Sequence, residues 1–350
     1  MALAGPLATP AHAASPADPM VRIADAGAWG PRRVHAPQVF DGGGVVAVVD
    51  TGVGAEVGPA LLPGVNLVAD HHTGDPEGHG TEVAQVVLDY CPGCRILPVR
   101  VLGADGTGVA STVASGITWA ADHGAGVINL SLAATSRAAS LDSAVAYAQS
   151  KGALVVAAAG NQAERRDDLT VPRYPAASTG VIGVAATDPD DRLYSWSYRG
   201  AWVQVAAPGC DSHGGCGTSF ATPVVSAVLA LATPAHSAAS LAATLAATSV
   251  SVTGGTIAHG RVDAQAFLDA VDDSVRPQRV AGSDRVATAI ALSQRSFRSA
   301  PAVVIARSDA YADALAAAPL AGKLHAPVLL TPPSSLDGRV ADEVARLGAT

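Results

Sequence analysis

The sequence has few aromatic residues and no long hydrophobic run. Phe, Trp and Tyr make up 4% of the 350 residues although hydrophobic residues make up 49%, so the apolar content is mostly alanine and valine. Such side chains suit closely packed helices and buried strands. The longest apolar stretches, such as 153–159, fall far short of the roughly 18 residues that a membrane-spanning helix needs. The composition predicts a globular chain with no membrane span.

The sequence also lacks any stretch rich in lysine and arginine. It has 22 basic and 30 acidic residues and a formal net charge of −8, so we expect no nucleic-acid partner. Residues 277–350 contain eight basic and six acidic residues, against 14 basic and 24 acidic residues in the rest of the chain. A single hydrophobic core stops growing at about 250 to 300 residues. The length of the chain and the difference in charge between its two parts therefore both favour two units.

Only four cysteines are present, in two close pairs: Cys91 with Cys94, and Cys210 with Cys216. A zinc site would need two matching Cys/His knuckles, and a thioredoxin-type motif should open a helix after a strand. Neither context is visible, so we expect two local disulfides, although three pairings are possible. No Asp/Asn-rich loop has a convincing calcium spacing. No metal ligand is therefore assigned and no cofactor is expected to be required, while structural calcium stays open.

The N-terminal residues are rich in alanine and proline, and residues 11–13 (Ala-His-Ala) match the small-residue pattern of a signal-peptidase site. We expect residues 1–20 to be a signal remnant or disordered. Together with the cysteine pairs, this segment predicts export from the cell.

From Gly44 onward, short β-branched runs alternate with alanine-rich segments of helical length. This pattern is typical of a parallel sheet covered by helices on both faces. We predict a doubly wound, mostly parallel α/β domain over 21–272, a linker over 273–278, and a smaller, incomplete α/β domain over 279–350. The predicted strands of the large domain are 45–49, 65–68, 95–101, 127–130, 154–158, 181–185 and 203–206, and its main helices are 81–89, 112–123, 141–151 and 220–232.

Three polar residues lie where a strand or loop passes into a helix or turn, the place where α/β sheets gather functional groups. Asp50 ends a buried apolar run, where a carboxylate is costly without a partner. His79 lies between two glycines at the start of an amphipathic segment. Ser219 precedes Pro223, which has no N–H for the Ser219 carbonyl, so we expect regular helix to begin after the serine. Taken alone, Asp50 is equally compatible with a turn-forming role, and a single histidine such as His79 is more often structural or on the surface.

Asn161 ends another apolar run, and its amide can donate to a developing oxyanion, although a turn asparagine is the simpler interpretation. Peptide hydrolysis by a serine needs a base, an acid that orients the base, and donors about 3 Å from the oxyanion. All of these parts are present in the sequence, as Asp50, His79, Ser219 and Asn161.

Four segments resemble the signature motifs of the subtilase family, in the family's chain order. They are 48–53 (Val-Val-Asp-Thr-Gly-Val), 79–81 (His-Gly-Thr), 158–161 (Ala-Ala-Gly-Asn) and 217–223 (Gly-Thr-Ser-Phe-Ala-Thr-Pro). The resemblance covers about residues 25–270 and implies a subtilisin-type fold and a monomeric serine endopeptidase acting on proteins or peptides. It implies that Ser219 is the nucleophile, that His79 is the general acid and base, and that Asp50 orients His79. Asn161 and the Ser219 N–H would form the oxyanion hole.

The resemblance also implies a set of substrate-binding residues and several departures from the family pattern. Ala133-Ala134 replace a common Gly-Gly and should shift preference away from the bulkiest side chains. Glu82 and Val224 stand where the family usually has histidines. The stretch before Ser219 is short, and the region before the large domain is too short for a folded pro-segment. The implied substrate-binding residues are Gly106, Thr107, Gly108, Ser131, Leu132, Ala133 and Gly160.

Residues 279–350 resemble a type 2 cell-wall-binding repeat of secreted bacterial proteins, through 279–289, 310–316 and 326–331. The resemblance implies an anionic cell-wall polymer as a partner, although only one incomplete copy is present. The alternative hypothesis is a non-catalytic wall-binding protein with a protease-like fold. An α/β-hydrolase esterase would need Gly-x-Ser-x-Gly and the order Ser, Asp, His, and the chain has neither.

Overall fold

The computed structural model describes residues 26–36, 43–70, 74–162, 168–211, 214–233, 235–271, 282–297, 299–324 and 326–349. The predictions for residues 1–20 and for the linker at 273–278 fall outside this set. The chain divides into two compact units, Met1–Asp273 and Ser274–Thr350, and each unit has its own apolar core.

A seven-stranded parallel sheet forms the centre of the first unit. The first strand of the chain lies inside the sheet. The strands that follow it pair on one lateral side of it, after which the chain crosses back and the later strands pair on its other lateral side. Ligands bind at the carboxyl ends of strands that flank such a reversal. The spatial order is β2 (Val65–Asn66), β3 (Arg95–Arg100), β1 (Val45–Asp50), β4 (Val127–Leu130), β5 (Leu154–Ala158), β6 (Ile182–Thr187) and β7 (Val205–Pro208).

Helices cover both faces of the sheet, which confirms the predicted doubly wound α/β fold class. One apolar cluster joins the sheet to α2 (His79–Tyr90) and α5 (Thr218–Ala230), and a second joins it to α3 (Ala110–Asp122) and α4 (Ala139–Ser150). Helix α5 is buried along its whole length, as a helix without charged residues requires. The helices of this unit are α1 (Ala26–Arg33), α2 (His79–Tyr90), α3 (Ala110–Asp122), α4 (Ala139–Ser150), α5 (Thr218–Ala230), α6 (Ala238–Ala247) and α7 (Ala264–Val271), with a short 3₁₀ segment at Ala55–Ala60.

The second unit is a small α/β arrangement around one parallel strand pair. Strands β8 (Val304–Arg307) and β9 (Val328–Thr331) are joined by helix α9 (Tyr311–Leu324). Helices α8 (Arg285–Ser296) and α10 (Gly338–Leu347) begin at aspartate side chains that accept backbone N–H groups, a favourable cap. In the described parts of both units, no helix has the length and apolar character needed to cross a bilayer.

Candidate active site

The carboxyl ends of β1, β4 and β5 bring the candidate catalytic residues to one edge of the sheet. Asp50 is the last residue of β1, Asn161 follows the end of β5, and α2 and α5 begin at His79 and Thr218. Because the strands are parallel, their carboxyl ends share one edge, and residues distant in sequence meet there. Asp50, His79 and Ser219 are all buried.

Asp50 and His79 form a direct hydrogen bond. The Nδ1–H of His79 donates to Asp50 Oδ1 over 2.8 Å, and the same oxygen accepts the Thr51 N–H over 2.7 Å. Gly80 allows α2 to approach this closely, because a Cβ there would collide with the carbonyl oxygen of Gly52. When the ring is neutral, this bond fixes its tautomer, with Nδ1 protonated and Nε2 able to accept a proton.

Acidic side chains surround the start of α2. Glu77 accepts the N–H of His79 over 2.8 Å, and Asp75 accepts the N–H groups of Gly78 and Thr81 over 2.9 and 2.8 Å. Burial is the largest single influence on the pKa of His79 and lowers it. The charge and hydrogen bond of Asp50, with the charges of Glu77 and Glu82, outweigh burial and raise the pKa of His79 to about 9. The ring is therefore protonated at neutral pH.

The carbonyl of Ser219 is hydrogen-bonded to the segment that follows strand β4. Helix α5 begins at Thr218, one residue before Ser219, so the prediction that the helix begins after the serine is wrong. Pro223 leaves the Ser219 carbonyl without a helical N–H partner. The hydroxyl of Ser131 donates to that carbonyl over 2.7 Å and accepts the Asn129 amide over 3.0 Å. A serine on a neighbouring segment thus replaces the missing helical bond.

The side chain of Ser219 makes no hydrogen bond with His79 in this structure. Its hydroxyl donates to the Ser131 carbonyl oxygen over 3.1 Å, and His79 Nε2 has no hydrogen-bond partner among the described residues. The Ser219–His79 hydrogen bond expected of a triad is therefore not formed in this structure. A serine hydroxyl changes direction by rotation between staggered rotamers, and catalytic hydrogen bonds often close only when substrate binds.

Asn161 is oriented by Thr218. The side-chain oxygen of Asn161 accepts the N–H of Thr218 over 3.0 Å and its hydroxyl over 2.9 Å. A backbone N–H can only donate, so the oxygen end of the amide must face Thr218 and the NH₂ end must face away. Thr218 also accepts the N–H of Gly160 over 3.1 Å, which ties the end of β5 to the start of α5.

The expected substrate-binding residues follow strands β3, β4 and β5 at the same edge of the sheet. Residues Gly106, Thr107 and Gly108 belong to a turn that follows β3, in which Gly103 donates to the Thr107 carbonyl. Ser131, Leu132 and Ala133 follow β4, and Gly160 follows β5 with φ of +95°. Since β3 and β4 both border β1, these segments lie on either side of Asp50.

Both cysteine pairs are joined as disulfides, Cys91 to Cys94 and Cys210 to Cys216. The first bridge lies between α2 and β3, at the amino edge of the sheet. The second closes the loop before Ser219, where the Tyr194 hydroxyl donates to Cys210 Sγ over 3.2 Å. In the part of the chain that the structure describes, no three His, Cys, Asp or Glu side chains are grouped as metal ligands.

Sequence reasoning assigned no role to Asn129 or to the Thr218 side chain. Ser226 donates to Asn129 Oδ1 over 2.9 Å, so Asn129 links β4 to both Ser131 and α5. A polar residue inside a fully buried strand needs a hydrogen-bond partner. The position of Asn129 inside an apolar run was therefore the signal from which its role could have been predicted. Thr218 gave no comparable signal, because its partners on Gly160 and Asn161 are 58 and 57 residues away in sequence.

This fold and site define a serine hydrolase in which a buried Asp–His pair lies beside a serine at a helix start. Residues 41–274 match the model of the subtilase family, which covers more than half of the chain. The chain belongs to the subtilase family, and its activity is that of a subtilisin-like serine protease. Residues 279–349 match the cell wall binding domain 2 (CWB2).

Similarity to individual proteases also supports membership of the subtilase family. Thermitase of Thermoactinomyces vulgaris is 38% identical over 67% of this chain and 94% of its own length. Subtilisin BL of Lederbergia lenta is 38% identical over 58% of this chain and 82% of its own length. A solved cold-adapted subtilisin-like serine proteinase matches with a TM-score of 0.57 at 31% identity, over 67% of this chain and 98% of its own. The fold is therefore shared over nearly all of that structure.

Proposed function

We propose that the protein is a secreted endopeptidase in which Ser219 attacks the substrate carbonyl. His79 Nε2 takes the proton of Ser219 and passes it to the leaving amine, and Asp50 keeps Nδ1 protonated. The Asn161 NH₂ group and the Ser219 N–H stabilise the oxyanion. The observation that carries this proposal is the buried Asp50–His79 hydrogen bond of 2.8 Å beside Ser219 at the start of α5.

Substitution of the three residues tests this mechanism. We expect Ser219→Ala, His79→Ala and Asp50→Asn each to lower kcat for casein-derived peptides by about 10⁴-fold or more. Ser115→Ala is a matched control, because Ser115 is exposed on α3 and donates only to a helix carbonyl. Undiminished hydrolysis by Ser219→Ala would contradict the mechanism. An inactive parent protein would favour the non-catalytic wall-binding alternative.

The second unit supports an association with the cell wall. It contains a pocket of about 470 Å³ lined by Arg285, Arg307, Ser308, Ala310, Ala314, Leu315 and Leu330. Guanidinium groups suit the phosphates and carboxylates of an anionic wall polymer. The two disulfides of the first unit fit an extracellular location, because such bonds persist in oxidising compartments.

Retention on purified anionic wall polysaccharide tests this association. We expect the full chain, inactivated by Ser219→Ala, to be retained at low salt and released as salt rises. The double substitution Arg285→Gln/Arg307→Gln should abolish retention, and Arg95→Gln/Arg192→Gln in the first unit removes the same charge as a control. Equal retention of both double variants would contradict a role for the arginine pocket.

A further inference from the structure

The segment before Ser219 is a short hairpin with arms 209–211 and 214–217. The first arm is attached to the central sheet, because the Gly209 N–H donates to the Thr187 carbonyl at the end of β6 over 3.0 Å. The second arm runs directly into α5. The position of the nucleophile therefore depends on how the second arm is held to the first.

Two backbone hydrogen bonds and one disulfide join the two arms. The Gly217 N–H donates to the Gly209 carbonyl over 2.8 Å, and the Asp211 N–H donates to the Gly215 carbonyl over 2.9 Å. The Cys210–Cys216 disulfide connects the arms between these two bonds. Because a two-stranded hairpin is marginally stable on its own, the covalent bond is the strongest restraint on the second arm.

The second arm also contacts the surroundings of both reacting side chains. The Gly217 carbonyl accepts the Phe220 N–H over 3.1 Å, in the turn of α5 that contains Ser219. A Cβ on Gly215 would lie only 2.9 Å from two atoms of the Phe220 ring, so this arm packs directly on that ring. The centre of the same ring lies 6.1 Å from the centre of the His79 ring. A displaced arm would therefore disturb Ser219 through the backbone and His79 through Phe220.

The two disulfides of the chain differ in exposure and not much in loop length. Cys91 and Cys94 are 0 and 1% exposed, whereas Cys210 and Cys216 are half-buried. Thiol–disulfide exchange requires a thiolate to reach a sulfur atom, so a small dithiol attacks the second bridge first. The two bridges span sequence separations of 3 and 6 residues, and the entropic stabilisation by a disulfide is smaller for short loops. The location of the second bridge therefore distinguishes it from the first.

We propose that the Cys210–Cys216 disulfide positions Ser219 and His79 for catalysis, and that its reduction reversibly lowers kcat. The proposal rests on the proposed function of Ser219. A thiolate of a dithiol attacks one Sγ and breaks the S–S bond, and the second thiol of the reagent then closes a cyclic disulfide. Two electrons and two protons pass to the bridge, which leaves two cysteine thiols. The chain therefore has low activity in a reducing compartment and gains activity once it is oxidised outside the cell.

Titration of the full-length protein with dithiothreitol tests this proposal. We expect kcat for a peptide anilide to fall by about tenfold or more as the second bridge opens, with KM nearly unchanged, because a misplacement of about 1 Å can cost about 10²-fold in rate. The rate at which a small fluorophosphonate labels Ser219 should fall in parallel, since this reagent needs the serine and histidine but not the peptide-binding segments. Reoxidation should restore both rates, and mass spectrometry of alkylated thiols identifies which bridge is open.

Variants of the two bridges complete the test. Cys210→Ser/Cys216→Ser should have the low kcat of the reduced parent and should no longer respond to the dithiol. Cys91→Ser/Cys94→Ser is the matched control and should keep both kcat and its response to the dithiol.

Three results would overturn the positioning role of the second bridge. They are an unchanged kcat in the parent with this bridge reduced, a loss confined to KM, and a loss of near-ultraviolet circular dichroism in step with kcat, which would indicate general unfolding. Hydrolysis by Ser219→Ala equal to that of the oxidised parent would contradict the proposed function, and the positioning role with it.

Discussion

The charge of His79 should set the pH range of activity. Because only the neutral ring accepts a proton from Ser219, and the pKa of His79 is raised to about 9, activity should rise as pH increases through that value. We expect kcat/KM for a peptide substrate to be low at pH 7 and to approach a plateau above pH 9. The pH dependence of kcat/KM reports the free enzyme and is therefore the appropriate measurement.

Substitution of Glu82 tests whether nearby negative charges raise the pKa of His79. Glu82→Gln removes one of the negative charges that raise the pKa of His79, so the rise in kcat/KM should move to lower pH. Asp89→Asn removes an exposed charge from the other end of the same helix and should leave the profile in place. A profile of Glu82→Gln identical to that of the parent would show that Glu82 does not contribute to the charge of the ring.

Thr218 should act as a positioning residue for Asn161. Thr218→Val keeps the size of the side chain but removes the hydroxyl that binds Asn161 Oδ1 and Gly160 N–H. We expect kcat to fall by about tenfold, less than the 10² to 10³-fold loss typical of deleting an oxyanion donor, with KM nearly unchanged. Thr218→Ser should restore most of kcat. A loss that appears in KM instead would contradict this role.

At the scale of single residues, the sequence predicts which residue types meet but not how they are oriented. The order of Asp50, His79 and Ser219 and their positions after strands were sufficient to propose the site. The direction of the Ser219 hydroxyl and the capping of its carbonyl depend on Ser131, which is 88 residues away. No local pattern encodes a contact of that kind.

At the scale of elements, strands β1, β4 and β5 were predicted closely, whereas β6, β7 and the helix starts differ from the prediction by up to two residues. Continuous apolar runs identify β1, β4 and β5 within one residue, because both faces of these strands are covered. Helix α2 begins at His79, two residues before the predicted start, because Glu77 and Asp75 cap it from the preceding loop. Strand β2 ends at Asn66, where the side-chain oxygen accepts the Val68 N–H and turns the chain.

The bond between Ser131 and the Ser219 carbonyl should matter only because Pro223 interrupts the helix. We expect Ser131→Ala to lower the free energy of unfolding by about 1 to 3 kcal/mol, the cost of leaving a buried carbonyl without a donor. In a Pro223→Ala background, the restored helical N–H supplies that donor, so the same substitution should cost less. Urea unfolding in the inactive Ser219→Ala protein avoids self-digestion and keeps the carbonyl intact. Additive effects of the two substitutions would exclude the coupling.

At the scale of the whole molecule, the two units should act independently on small substrates and together on wall-bound ones. Among the described residues, the apolar clusters of Met1–Asp273 contain no residue of the second unit. Removal of residues 274–350 should therefore change kcat/KM for a soluble peptide by no more than about twofold, as expected of separate domains. On a substrate attached to anionic wall polymer, the loss should be about 10²-fold, because tethering raises the effective concentration. The full-length Arg285→Gln/Arg307→Gln variant should lose the same wall-dependent activity without truncation. If truncation lowered both activities equally, the second unit would be required for the integrity of the protease and not for its location.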